Sequence, residues 1–92
     1  MLIALMKSKK AGGRNLAIPC GVYRHYKGQD YLVLGVARHS ETEEPFVVYV
    51  RLYAREGCPF WIRPYKDFIG LVAGPKGKKV KRFRFVGTEQ AP

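Results

Sequence analysis

The chain has 92 residues, of which 47% are hydrophobic, and a formal net charge of +10. That length makes one domain near the low end of what buries a useful core, and the apolar content argues against wholesale disorder. The charge is concentrated at the ends: residues 1–20 carry +4, residues 21–56 balance five basic against five acidic side chains, and residues 57–92 carry +6. An excess of that kind attracts polyanions through counterion release, and RNA or DNA is its natural partner. The plainer reading is that basic ends keep a small domain soluble.

Residues 1–19 read as an N-terminal extension. MLIALM holds six apolar residues before Lys7, too short for a signal-peptide core or a membrane span. It suits an added strand, or pairing between two copies through an edge strand. SKKAGGRN then interrupts any regular element. Two cysteines, Cys20 and Cys58, without a secretory signal, are read as reduced. The expectation is a soluble, cytoplasmic protein with no membrane partner.

The domain proper is expected over residues 20–87, with residues 88–92 as a frayed tail. Val22 to Tyr26 makes a short strand, and Lys27-Gly28-Gln29-Asp30 a tight turn in which Gly28 takes positive φ. Tyr31 to Arg38 follows, apolar on both faces near Leu32-Val33-Leu34, which suggests a small closed barrel. Gly35 in mid-strand marks a bend or a close backbone approach. After the polar loop SETEEP, Phe46 to Tyr53 forms a third strand and Phe60 to Arg63 a fourth, closed by Pro64. Tyr65 to Leu71 is expected as a helical turn and Val80 to Val86 as the last strand. The pattern is all-β: a small SH3-like barrel of about five strands with one short helical turn before the last strand.

Several dispersed motifs carry a resemblance. They are Gly21 to Gly28 (GVYRHYKG), Tyr31 to Thr42 (YLVLGVARHSET), Val47 to Tyr49, Leu52-Tyr53, Trp61 to Pro64 (WIRP) and Arg82-Phe83. Over about residues 20–87 the chain resembles the bacterial domain of unknown function 1653. The resemblance implies an SH3-like β-barrel and implies no particular activity. The chain departs from the family pattern in its N-terminal extension and in the strongly basic stretch from Ala73 to Arg82.

The chemistry-bearing residues suggest three functions. In the first, Arg24, His25, Arg38, His39 and Arg63 form an anion-binding face, with Glu41 beside it and the rings of Tyr26 and Trp61 at its border. The guanidinium fork suits phosphate or carboxylate. Lys76, Lys78, Lys79, Lys81, Arg82 and Arg84 would add contacts to a nucleic-acid backbone. Alternation on the last strand sends Phe83 and Phe85 inward and leaves Arg82 and Arg84 exposed. Against this stands pairing of the arginines with Glu41, Glu43, Glu44 and Asp67. The second function is a protein-interaction module with an aromatic peptide groove of Tyr26, Tyr49 and Trp61. The third is a small hydrolase or transferase using His39 and Glu41.

No catalytic set has the required spacing, and Cys20, His25, His39 and Cys58 lack the paired spacing of a zinc site. Neither a metal nor a cofactor is expected. The residues favour a non-enzymatic module that binds nucleic acid or a nucleotide.

Overall fold

The structure, a computed structural model, describes residues 16–88. The elements in chain order are β1 (Gly21–His25), β2 (Asp30–Arg38), β3 (Pro45–Arg51), β4 (Phe60–Pro64), α1 (Tyr65–Phe68), β5 (Leu71–Ala73), a 3-10 turn (Pro75–Gly77), β6 (Lys79–Lys81) and β7 (Phe83–Gly87). The domain is all-β, as expected. MLIALM lies outside the described residues.

Five strands form an antiparallel sheet in the order β4-β3-β2-β1-β7, and β5 and β6 form a separate hairpin. The sheet curls around its core, but β4 and β7 end the order without pairing to each other, so the barrel is open rather than closed. The apolar run that suggested closure is buried on one face only: Val33 is fully buried, whereas Leu34 is 48% exposed. Gly35 supplies the expected bend, with a bulge between Val33 and Gly35 in the β2–β3 pairing. In the turn before β2, Gly28 takes φ +107°.

The expected last strand divides at Arg82, whose flanking residues belong to different sheets. Arg82 N–H donates to the Gly70 carbonyl, and the Arg82 carbonyl accepts from Tyr26 N–H. These two bonds satisfy its backbone at the point where the chain leaves the β5–β6 hairpin for β1. The helical turn is also shorter than expected, ending at Phe68, and Leu71 opens β5.

The core joins the inward side chains of the sheet to one residue of α1. Tyr23, Val33, Val47, Tyr49, Phe68 and Phe83 form a single cluster, with Ile18, Tyr31, Val36 and Tyr65 against it. Phe68 and Phe83 stack 4.1 Å apart at 6°, so one turn of helix plugs the sheet through one ring. Burying such a ring contributes about 1.5–3 kcal/mol. The chain before β1 is tied in as well, because Tyr23 hydroxyl donates to the Pro19 carbonyl at 2.7 Å.

Candidate anion-binding cleft

Alternation along β1 sends Tyr23 and His25 to the core face and Arg24 to the outer face. At the outer face Arg24 and Arg84 are register partners on β1 and β7. Arg24 makes a two-pronged contact to Asp30, Nε to Oδ1 at 2.7 Å and Nη2 to Oδ2 at 3.1 Å. This hydrogen bond, and then the Arg24 charge, holds the Asp30 carboxyl below its usual range, and Arg84 adds to the effect. Asp30 engages Arg24 directly and leaves Arg84 exposed.

Beside this pair, Arg24, Tyr26, Pro75, Val80, Lys81 and Arg84 line an open cleft of about 360 Å³. Its far wall comes from the β5–β6 hairpin, whose tip turns through Lys76 at φ +61°. Tyr26 is 38% exposed, and Lys27 Nζ lies 5.8 Å from its ring centroid. The cleft therefore combines an accessible aromatic face, two apolar side chains and three cations, of which Arg24 has a carboxylate partner among the described residues.

The other expected site residues are dispersed. His25 lies behind Tyr26, with its ring 4.6 Å from Tyr26 and 5.0 Å from Phe83. Its Nδ1 accepts Lys27 N–H at 3.1 Å. Burial foremost, then the charges of Arg63, Arg82 and Lys27, push the His25 pKa down. The neutral ring closes the turn and backs Tyr26. Arg63 is on the core side of β4, where Nε donates to Tyr49 hydroxyl and the guanidinium stands 5.7 Å from the Phe83 ring. Arg24 and Arg63 thus face opposite sides of the sheet, and the expected common arginine face does not form.

Arg38, His39 and Glu41 sit at the other end of β2. His39 Nδ1 accepts the backbone N–H of Glu41 and Thr42 at 3.1 and 3.2 Å, and Arg38 donates to the Glu43 carbonyl. These contacts shape the loop, in which Glu43 has φ +65°. His39 meets Glu41 through its main chain, so no oriented His–carboxylate pair arises there. The competing pairing of the arginines with the Glu41, Glu43, Glu44 and Asp67 side chains is not seen among the described residues either. Among the described residues the ion pair is Arg24–Asp30.

Trp61 is 38% exposed on β4, with the Arg55 guanidinium 5.9 Å from its ring. Tyr49 is 3% exposed in the core and cannot line a groove with Tyr26 and Trp61. Of the basic stretch, Lys81 and Arg84 enter the cleft, while Lys76, Lys78 and Lys79 are exposed along the hairpin. Arg82 is turned away from them, its Nε donating to the Asp67 carbonyl at 3.1 Å. Phe83 is buried as expected, but Phe85 stays 44% exposed while touching Tyr23 edge-on.

Sequence reasoning missed the cleft's Pro75 and Val80, which come together only through the hairpin. It also missed Arg51, 8% exposed, whose guanidinium donates to the carbonyls of Arg55, Gly57 and Cys58. The alternation of Val47, Tyr49 and Arg51 along β3 was the available signal. Cys20 and Cys58 are free and exposed. Among the described residues, no group of His, Cys, Asp and Glu has the arrangement of a metal site, and no helix is long and apolar enough to cross a membrane.

No curated protein matches the chain. A crystal structure of a protein of this same uncharacterised family from Bordetella bronchiseptica is 45% identical, with a TM-score of 0.76, and the match covers 82% of this chain and 95% of that one. The family model described as "Protein of unknown function (DUF1653)" matches residues 21–85, and the chain belongs to that family.

Proposed function

We propose that this protein is a non-enzymatic bacterial cytoplasmic module that binds an anionic ligand, nucleic acid or a nucleotide, in the cleft between β1, β7 and the β5–β6 hairpin. The observation that carries the reading is the placement of an exposed Tyr26 ring beside Lys81 and Arg84. A base stacks on the ring and a phosphate meets the two cations. The exposed Lys76, Lys78 and Lys79 extend the positive surface to neighbouring phosphates. The chain's 45% identity to a Bordetella protein and the two free thiols support the bacterial and cytoplasmic parts of the proposal.

The test is fluorescence anisotropy with a labelled single-stranded oligonucleotide over a salt series, with mononucleotide as competitor. Affinity should fall steeply with salt. Binding that ignores salt, or no binding at low salt, would sink the proposal. Displacement by mononucleotide alone would narrow the ligand to a nucleotide.

A further inference from the structure

Among the described residues β4 is an edge strand, and its composition is unusual. Phe60, Trp61 and Ile62 are 58%, 38% and 62% exposed, and no charged side chain interrupts the three. Natural sheets usually protect such an edge with charge, a bulge or a covering element.

The hydrogen-bond phase of β4 follows from its neighbour. Arg51 N–H donates to the Pro59 carbonyl, and the register pairs Tyr49 with Trp61 and Val47 with Arg63. Antiparallel strands alternate bonded and non-bonded pairs. Trp61 and Arg63 therefore turn their backbone groups toward β3, Phe60 and Ile62 turn theirs outward, and the Pro64 carbonyl starts α1.

That outward row is self-complementary. We propose that β4 pairs antiparallel with β4 of a second copy of this chain, about a two-fold axis through Ile62. Each Ile62 then exchanges both backbone bonds with its counterpart. Pro64 has no N–H and its carbonyl is engaged by the first turn of α1, so the Ile62 exchange carries the backbone contact and the Phe60 groups stay with solvent. An isologous contact requires this reciprocity.

The side chains agree with the same axis. On the outer face Ile62 meets Ile62, and Phe60 lies against Pro64 of the other copy. On the inner face Trp61 stands opposite Arg63 of the other copy, an electron-rich ring facing a cation-bearing side chain.

The area sets the strength. With aromatic side chains presenting 150–250 Å² each, the exposed fractions of Phe60, Trp61 and Ile62 amount to about 300 Å² of apolar surface per copy. Two copies give about 600 Å², just under the apolar share of the smallest stable interfaces. The dimer is therefore reversible, with a Kd on the order of 10 µM or weaker. β4 and β1 are separated by two strands, so the cleft stays open in the dimer, and the pairing does not depend on what the cleft binds.

Sedimentation velocity of the full chain from about 5 to 500 µM tests the pairing by mass action. The weight-average mass should rise from the monomer's 10.5 kDa toward twice that value. Ile62→Lys, which sets two lysines on the axis, should remain monomeric throughout while keeping the wild-type circular dichroism spectrum. The Ile62 amide should also exchange more slowly at the high concentration. A wild-type chain that stays monomeric at every concentration overturns the proposal. So does a dimer that survives Ile62→Lys, and if that dimer is abolished by Ile3→Asp, the N-terminal segment forms the interface instead.

Discussion

Arg24 and Arg84 occupy opposed positions on β1 and β7, and the Asp30 carboxylate beside them is bonded to Arg24. Like charges directly opposite on neighbouring strands are destabilising. The sheet tolerates this pair because Asp30 neutralises one member. The residual field belongs to Arg84 and Lys81, on the side where Tyr26 exposes its ring.

Substitutions in the cleft should separate charge from stacking. Lys81→Ala and Arg84→Ala are each expected to reduce the salt slope of oligonucleotide affinity by about 0.7 for a single strand, one phosphate contact apiece. Tyr26→Ala is expected to cost about 1–3 kcal/mol of affinity with the slope unchanged. Arg38→Ala, at the far end of β2, should leave both quantities as they are. Anisotropy titrations at four or more salt concentrations give slope and affinity together.

Phe68 is the fully buried residue of α1, 1% exposed and stacked on Phe83. Phe68→Ala should cost about 3–5 kcal/mol, a large part of the stability of so small a domain. Urea denaturation should show a much lower midpoint, or a chain unfolded in buffer. A midpoint near that of the wild type would mean that the helical turn does not plug the sheet.

Gly21 has φ +141°, and a Cβ placed there would sit 2.6 Å from the Gly87 carbonyl oxygen and 3.0 Å from the Phe85 ring. Backbone and ring both block it, so Gly21→Ala combines strain with a forced separation of β1 from β7. The expected loss is about 1–3 kcal/mol, read from the same denaturation curves. Gly28→Ala also acts at positive φ, but with open space around it, and should cost less.

His25 links pH to stability. Its folded pKa lies below the ordinary 6.5 because burial and three nearby cations disfavour the charged ring. The unfolded chain therefore binds the proton more readily, and stability falls as the medium becomes more acidic. The contribution is fully present above 6.5 and is lost as pH drops from there toward the folded value. Thermal melts from pH 8 to pH 5 should show this decline in the wild type. In His25→Gln the part of the decline around pH 6 should disappear, and an unchanged profile would show that His25 is not the group responsible.

Arg51 organises the loop between β3 and β4 by donating to three of its carbonyls. Arg51→Leu keeps the buried bulk and removes the donors, leaving those carbonyls to find water. Amide exchange in residues 54–59 should accelerate while the β1–β2 hairpin retains its protection. Uniform acceleration across the domain would instead indicate global destabilisation.

The sequence by itself determined the all-β class, the family, and the positions of β1 to β4. Those features rest on short-range chemistry: β-branched and aromatic runs, the turn at Gly28, the bend at Gly35 and the stop at Pro64. Only the tertiary structure decided which basic residues share a surface. Alternation told that Arg24 and His25 point opposite ways, but not that Arg63 would turn inward to Tyr49 or that Arg38 and His39 would be used to shape their own loop. The division of the last strand was equally hidden. It depends on the bond that Arg82 N–H donates to Gly70 and the one its carbonyl accepts from Tyr26, each partner many residues away, and no local propensity encodes them. That switch at Arg82 swings the β5–β6 hairpin against β1, and so brings Lys81 beside Tyr26 and Arg84.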